Sequence, residues 1–278
     1  MWVWTKLSAL QWADAWQERF CWNPGMVLTE LKGRKSVRVD VYCKTKGEAA
    51  RIKEQFGGTV RKLADRNWAA LKPVVAAPLK IRDRLLITSD PSVAGRRKLA
   101  REFPGRDVLS IPSEMAFGTG DHATTASCLR RLVDEARRWR GKRWRLLDLG
   151  CGSGILAIGG RLLGAEHCEA VDYDPKAVVV TERNLKRNRV EGVDVREANV
   201  LDWRPRGRFE IVTANLFANV LREAFPMMRA CLANDGKLIV SGILADQWPS
   251  TRQAGEAAGL KFTAEWKRGK WITALARS

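Results

Sequence analysis

The segment Leu147-Asp148-Leu149-Gly150-Cys151-Gly152-Ser153-Gly154 decides the fold of this chain of 278 residues. It joins a short apolar run to a helical pattern over residues 155–163. Its alternate glycines let the backbone turn sharply and approach a ligand that a Cβ atom would block. A dinucleotide-binding fingerprint needs a third glycine where this chain has Ile155. The loop therefore predicts a strand-turn-helix unit that binds a nucleoside ligand smaller than a dinucleotide.

Strand and helix patterns alternate regularly from this loop to the C-terminus. Helical patterns separate the first five apolar runs, which is typical of a doubly wound parallel sheet. Only Lys267-Arg268-Gly269-Lys270 joins the last two runs, and a connection this short permits only an antiparallel hairpin. We therefore expect a Rossmann-like α/β sheet that ends in an antiparallel hairpin, with strands at residues 145–149, 168–172, 193–197, 209–214, 237–241, 260–266 and 271–276.

An acid or an amide stands at or just after the end of three predicted strands. Ligands of open α/β sheets bind beyond the carboxyl ends of the strands. Asp172 could accept hydrogen bonds there from both hydroxyls of a ribose, or it could be an ordinary surface acid. Asn199 and Asn215 carry amides that could bond an adenine edge and an amine respectively, or could make only the local bonds of loop residues.

A smaller α+β unit precedes the sheet. The pattern predicts the order strand, helix, strand, helix, strand, which suggests a ferredoxin-like unit with its boundary near residue 70. Ser8 is the predicted N-cap of the first helix, and Thr45 with Glu48 makes a capping box before the second. The predicted strands are residues 1–7, 37–43 and 59–63, and the predicted helices are residues 8–20 and 49–56. Between this unit and the sheet we expect a short strand over residues 81–88 and a basic helix over residues 92–102.

The charge of the chain is strongly positive. It has 49 Lys and Arg residues against 31 Asp and Glu residues, for a formal net charge of +18. Residues 1–89 hold half of this excess, with 17 basic and 8 acidic side chains. A field of this size attracts polyanions such as RNA, whereas a generally arginine-rich, solvated surface is the alternative.

Cysteine and histidine give no metal-site signal. The six cysteines are scattered without a C-x-x-C pair, and there are only two histidines, so we expect free thiols and no metal. The chain has no run of about 18 apolar residues and no signal-peptide pattern. The sequence thus predicts a cytoplasmic protein without a membrane anchor.

Five segments together resemble one known family. They are Phe117-Gly118-Thr119-Gly120-Asp121-His122-Ala123-Thr124-Thr125, residues 147–158, Val171-Asp172-Tyr173-Asp174-Pro175, Ala214-Asn215-Leu216-Phe217-Ala218 and Ser241-Gly242-Ile243-Leu244. On these motifs the chain resembles the PrmA methyltransferases, which modify large-subunit ribosomal protein eleven. From the residues alone, Thr124 or Thr125 could cap the helix that follows the first segment, and His122 could be a structural loop histidine.

The resemblance implies an S-adenosylmethionine-dependent protein methyltransferase. It implies a substrate-recognition domain at residues 1–70 and a class I methyltransferase domain at residues 71–278. The acceptors would be amino groups of a ribosomal protein, on a lysine side chain, at the N-terminus or both, and the basic N-terminal domain would contact ribosomal RNA. Asn215 would sit beside the acceptor amine, and the residues implied for the cofactor are Phe117, Gly118, Thr119, Gly120, Thr125, Asp148, Gly150, Gly152, Gly154, Asp172, Asn199 and Asn215.

Two other functions compete with this interpretation. An RNA or DNA amino-methyltransferase is favoured by the charge and by Asn215 after the fourth strand. Enzymes that methylate a flipped base usually follow that Asn with prolines and a stacking aromatic residue, whereas here Leu216, Phe217 and Ala218 follow. A nonenzymatic RNA-binding protein with the same fold is the second competitor. The intact glycine loop, Asp172 and Asn215 argue against it.

Overall fold

The structure, a computed structural model, describes residues 1–20, 25–31, 35–63, 77–112 and 122–278. Contacts divide the chain into two compact units, Met1–Val74 and Val75–Ser278. The predicted boundary near residue 70 lies outside the described residues.

The N-terminal unit is one antiparallel sheet with two helices. Its strands lie in the order β2-β3-β1-β4, and the chain order βαββαβ is that of a ferredoxin-like unit. Trp4, Val39 and Val41 are fully buried between sheet and helices, where each contributes roughly 1.5 to 3 kcal/mol. The elements are β1 (Trp2–Ala9), α1 (Ala13–Arg19), β2 (Met26–Glu30), β3 (Ser36–Cys43), α2 (Lys46–Phe56) and β4 (Thr59–Lys62).

Of the helix caps predicted from the sequence of this unit, one is confirmed and one is wrong, and one strand was not predicted. The capping box is present, because the Thr45 hydroxyl accepts from the Glu48 N–H and Glu48 accepts from the Thr45 N–H. The prediction that Ser8 caps a helix is wrong. Pairing with β3 extends β1 through Ala9, and Ser8 accepts a hydrogen bond from the Trp16 indole at 2.9 Å. Strand β2 was not predicted from the sequence.

A small three-stranded sheet begins the C-terminal unit. It contains β5 (Leu79–Ile81), β6 (Leu85–Thr88) and β7 (Asp107–Ser110), with α3 (Val93–Glu102) between the last two. The single strand predicted for residues 81–88 is wrong, because a tight turn with Arg82 at φ 50° reverses the chain between β5 and β6.

The large sheet confirms the predicted Rossmann-like fold. Its order is β10-β9-β8-β11-β12-β14-β13, with β8 to β12 parallel and an antiparallel hairpin at the end. The strands are β8 (Arg145–Leu149), β9 (His167–Asp172), β10 (Val193–Glu197), β11 (Phe209–Asn215), β12 (Leu232–Leu244), β13 (Lys261–Arg268) and β14 (Trp271–Arg277). The helices are α4 (Ala123–Ala136), α5 (Ile155–Leu162), α6 (Pro175–Asn188), α7 (Ala218–Ala230) and α8 (Trp248–Ala257).

Helices cover both faces of this sheet. Leu129, Leu132 and Ile158 pack on one face, and Leu221 and Phe225 pack on the other. Because both faces are buried, the central strands are almost continuously apolar and their polar residues concentrate at the carboxyl ends. None of the described helices is long and apolar enough to cross a membrane.

Candidate functional site

The glycine loop between β8 and α5 has the backbone that its sequence requires. Gly150, Gly152 and Gly154 have φ values of 72°, 55° and 75°, a region that side chains other than glycine rarely adopt. A Cβ atom on Gly150 would lie 2.3 Å from Leu216 Cδ2, and one on Gly154 would lie 2.6 Å from Thr181 Cγ2. The backbone conformation therefore favours glycine at all three positions, and the lack of space also favours it at Gly150 and Gly154.

Asp172 ties the end of β9 to the glycine loop. Its Oδ2 accepts from the Gly152 N–H at 2.8 Å, and its Oδ1 accepts from the Asp174 N–H at 3.0 Å. The side chain is buried, yet each carboxylate oxygen can still accept a second hydrogen bond. Asp172 thus shapes the loop and keeps acceptor capacity for a ligand hydroxyl.

Helix α6 holds the same loop from the other side. The Thr181 hydroxyl donates to the Gly152 carbonyl at 3.0 Å, and the Asn184 amide donates to the Ser153 carbonyl at 2.9 Å. Both side chains are fully buried. Neither residue was predicted from the sequence to belong to the site. Their signal is two polar residues on the same helical face as the buried Ala177 and Leu185.

Asp148 is a fully buried acid beneath the loop. Its Oδ1 accepts from the Thr213 hydroxyl at 2.8 Å, and its Oδ2 has no partner among the described residues. Burial raises the pKa of this carboxyl to about 7, with a smaller contribution from the charge of Asp172. Hydrogen bonds from Thr213 and from the backbone of Ala157 oppose that rise of the pKa.

Asn215 ends β11 next to the first turn of α4. Its amide N–H donates to the Thr125 hydroxyl at 3.4 Å. Its Oδ1 is buried and has no hydrogen-bond partner among the described residues. A buried acceptor without a donor costs about 1 to 3 kcal/mol. The amide oxygen is therefore placed to accept an N–H group from a ligand.

The N-terminus of α4 is capped by His122. The prediction of Thr124 or Thr125 as N-cap is wrong, because the His122 ring accepts from the Thr124 N–H and both threonines lie within the first helical turn. The ring packs edge-on against Trp271, with 5.2 Å between centroids. Burial lowers the pKa of His122, and the charge of Lys270 lowers it further, so the ring is neutral at pH 7.

The turn after Asn215 brings three sequence motifs together. Leu216 packs over Gly150, and its N–H donates to the Ser241 carbonyl at 3.1 Å. Gly242, at φ 86°, lies so close that a Cβ atom would meet the Leu216 carbonyl oxygen at 2.5 Å. Phe217 then points outward and is 74% exposed.

The predicted site residues fall into three groups. Thr125, Asp148, Gly150, Gly152, Gly154, Asp172 and Asn215 all lie at or beside the carboxyl ends of β8, β9 and β11. Asn199 follows β10 and is exposed. Its amide makes only local bonds, accepting from the Leu201 N–H at 3.1 Å and donating to Asp202 at 3.0 Å. Phe117, Gly118, Thr119 and Gly120 lie outside the described residues.

Metal-ligating side chains do not cluster in the described part of the chain. It contains no group of three or more His, Cys, Asp or Glu side chains placed to hold an ion. Five cysteines, Cys43, Cys128, Cys151, Cys168 and Cys231, are buried and free. Burial raises the pKa of Cys128 to about 12, so this thiol stays protonated at neutral pH.

The family model and the two relatives described next carry the same family name. A family model described as "Ribosomal protein L11 methyltransferase (PrmA)" matches residues 10–278. The ribosomal protein L11 methyltransferase of Bordetella parapertussis is 40% identical over 228 residues, 78% of this chain and 68% of that protein. The protein of the same name from Trichlorobacter lovleyi is 37% identical over 213 residues, 75% and 67% of the two chains.

A solved structure gives the same result. The crystal structure of the ribosomal protein L11 methylase from Lactobacillus delbrueckii subsp. bulgaricus is similar to this chain, with a TM-score of 0.60 and 26% sequence identity. The match covers 72% of this chain and 98% of that one.

Proposed function

The chain belongs to the ribosomal protein L11 methyltransferase (PrmA) family and is an S-adenosylmethionine-dependent methyltransferase, and we propose that it methylates amino groups of ribosomal protein L11. The observation that carries the proposal is the buried, unpartnered Oδ1 of Asn215 in the turn that packs over the glycine loop. A neutral amine is a ligand that supplies the missing N–H donor. The acceptor is a lysine side chain, the N-terminal amine or both.

The described residues fit the cofactor. S-adenosylmethionine, when bound, supplies an electrophilic methyl group on a sulfonium. Gly150, Gly152 and Gly154 would lie against its methionine part, because their positive φ values turn the backbone sharply beyond the end of β8. Asp172 would accept from the ribose hydroxyls with its remaining lone pairs, and Asn199 would lie near the adenine. Further residues proposed for the cofactor are Thr125, Asp148, Phe117, Gly118, Thr119 and Gly120.

Asn215 would position the acceptor amine. A lysine ammonium has a pKa of about 10.4 and must lose a proton before it can act as a nucleophile. The Asn215 oxygen would accept an N–H of the neutral amine and so orient its lone pair. Positioning of this kind contributes about 7 to 11 kcal/mol in favourable cases. Because Thr125, the described partner of Asn215, is a neutral hydroxyl, water takes the proton.

The N-terminal unit would select the substrate. We propose residues 1–70 as the substrate-recognition domain and residues 71–278 as the methyltransferase domain. The excess of positive charge in residues 1–89 supports a contact with ribosomal RNA near the protein substrate. We also propose a cytoplasmic location, which a ribosomal substrate supports.

The test of the reaction uses two acceptors in separate assays. Purified L11 and protein-free ribosomal RNA are each incubated with the enzyme and methyl-labelled S-adenosylmethionine. Label in L11 alone is the expected result. Label in RNA alone would favour the base-methylating competitor, and label in neither, with cofactor binding intact, would favour the nonenzymatic one or a different substrate.

A truncation tests the role of the N-terminal unit. Removing residues 1–65 should abolish methylation of L11 while the affinity for the cofactor, measured by calorimetry, stays within twofold of the full chain. Methylation of L11 at the full-length rate by the truncated enzyme would refute the assignment of substrate recognition to this unit.

A further inference from the structure

An exposed aromatic ring stands next to the acceptor side of the site. Phe217 is 74% exposed, and it is the only exposed one of the seven phenylalanines that the structure describes. It follows Asn215 by two residues, so the Cα atoms of the two residues are at most about 7 Å apart. A single exposed apolar residue is ordinary on a protein surface. The position of this one in its helix is not.

Phe217 occupies a position that normally belongs to a polar side chain. It is the N-cap of α7, with φ −64° and ψ 149°, and its side chain makes no capping hydrogen bond. N-caps favour Ser, Thr, Asp and Asn, because an oxygen of these side chains accepts from a free N–H of the first turn. The N-caps of α2 and α6, Thr45 and Asp174, follow this rule. Phe217 thus lacks a stabilising cap and gains no burial in exchange, and a broken local preference of this kind is expected at a functional site.

The backbone on both sides of Phe217 is held by hydrogen bonds. The Leu216 N–H donates to the Ser241 carbonyl at 3.1 Å, and the Leu216 side chain packs over the glycine loop. On the other side, the Leu221 N–H donates to the Phe217 carbonyl at 3.0 Å in the first turn of α7. The attachment point of the ring is therefore fixed beside Asn215.

A protein segment that delivers an amine to Asn215 would lie against this ring. Lysine carries its amine on a flexible four-carbon stem, so the segment that bears the lysine lies within one side-chain length of Asn215. The stem and the residues beside it offer apolar surface to an aromatic ring. We propose that Phe217 packs against the acceptor segment of the protein substrate. This inference rests on the proposed methylation of L11 and adds a substrate-binding residue to it.

Steady-state kinetics of two substitutions test the proposal. Phe217→Ala should raise the KM for L11 about tenfold or more, because the substrate loses an aromatic anchor. Its kcat at saturating L11 and its cofactor affinity should stay within about threefold of wild type, because a contact made equally in the ground state and the transition state affects KM alone. Phe217→Tyr, which keeps the ring, should restore the KM to within about threefold of wild type.

Val93→Ala is the matched control. Val93 is also apolar, 43% exposed and placed at the start of a helix, α3. The Asp90 carbonyl near this start accepts from the Ser110 hydroxyl, and the Ser110 backbone is bonded to Asn188 at the end of α6. Helix α6 begins beside the site and runs about 21 Å away from it. Val93→Ala should keep the wild-type KM, and an equal rise in both alanine variants would overturn the proposal.

Phe217→Ser separates substrate binding from stability. The backbone at this position already suits an N-cap, so the serine hydroxyl should cap α7. The midpoint of thermal unfolding should rise about 2 to 4 °C above that of Phe217→Ala, while the KM for L11 stays as high as in that variant. A more stable protein with a raised KM excludes misfolding as the cause. A serine variant with the wild-type KM would overturn the proposal.

Other outcomes also overturn the proposal, and they differ in what else they refute. An unchanged KM for Phe217→Ala, with L11 methylated by wild type, would refute this contact and leave the proposed function intact. Failure of the wild-type enzyme to methylate L11 would refute both. Weaker binding of a fluorescent single-stranded RNA by Phe217→Ala, with an unchanged KM for L11, would show that the ring stacks on a base instead of contacting a protein.

Discussion

The two sides of the candidate site differ in how completely their polar atoms are bonded. On the cofactor side, Asp172, Thr181 and Asn184 all bond the backbone of the glycine loop. On the acceptor side, Asn215 makes one long bond to Thr125, and its amide oxygen has no described partner. The glycine loop on the proposed cofactor side is therefore held by the protein's own bonds, with Asp148 Oδ2 as the exception, whereas a ligand would complete the proposed acceptor side.

This difference separates the expected effects of mutations. Changes on the cofactor side should alter cofactor affinity and stability together, because the same bonds shape the loop and the protein. Changes at Asn215 should alter the chemical step with little effect on either, because its missing bond forms only with the acceptor.

The largest effect is expected for Asn215→Ala. Its turnover on L11 should fall about 30- to 1000-fold, or roughly 2 to 4 kcal/mol, by analogy with the loss of one positioned polar group in other active sites. Cofactor affinity should stay within about twofold of wild type. Steady-state kinetics and calorimetry separate the two quantities. A wild-type rate for this variant would refute the role given to the amide.

Gly150→Ala tests the contact between the glycine loop and Leu216, the residue that follows Asn215. Alanine should lower the free energy of unfolding by about 2 to 3 kcal/mol, since it combines a left-handed backbone with overlap against Leu216. The matched control is Gly141→Ala, with φ 75° and open space around the Cβ position, which should cost only the backbone part of about 1 to 2 kcal/mol. Urea unfolding measures both. Equal losses would mean that Leu216 simply moves aside.

Asp172→Ala should weaken cofactor binding without changing the contacts of Asn215. Loss of the anchor of Gly152 and of the ribose acceptor should reduce cofactor affinity about 30- to 100-fold, or roughly 2 to 2.7 kcal/mol. Asp174→Ala, which removes only the α6 cap bond to the Lys176 N–H, should cost about 1 kcal/mol of stability and little affinity. Similar affinities for the two variants would contradict the assignment of Asp172.

Asp148 predicts a pH dependence of stability in the cofactor-free protein. Its pKa of about 7 in the folded state lies above the unfolded value of about 3.9, so the folded state holds the proton longer as pH rises. Its contribution is complete below pH 4 and is lost as pH rises toward and through 7, which should lower the stability of wild type by about 2 to 3 kcal/mol between pH 5 and 8.

The neutral substitution Asp148→Asn should remove this loss of stability. Asp235→Asn is the control, because Asp235 is exposed and asparagine tolerates its φ of 63°. Urea unfolding at four pH values between 5 and 8 gives the slopes. If Asp148→Asn and wild type lose stability in parallel, the raised pKa of Asp148 is refuted.

Periodicity predicted the large sheet closely. Strand β8 has the predicted bounds because it is almost continuously apolar and buried, and the edge strand β10 has them because its valines alternate with exposed polar residues. The failures at Ser8, at β2 and at the turn between β5 and β6 involve short elements. There the pairing of distant strands outweighs local preference, as the extension of β1 along β3 shows.

The sequence by itself determined the order of the elements in the large sheet, the glycine loop and the strand-end residues Asp172 and Asn215, because backbone conformation and burial constrain nearby residues. Only the tertiary structure decided that Thr181 and Asn184 hold that loop and that the amide oxygen of Asn215 has no partner among the described residues. These relations join residues far apart in the chain, and their energies depend on distances of a few ångströms that spacing in the sequence does not encode.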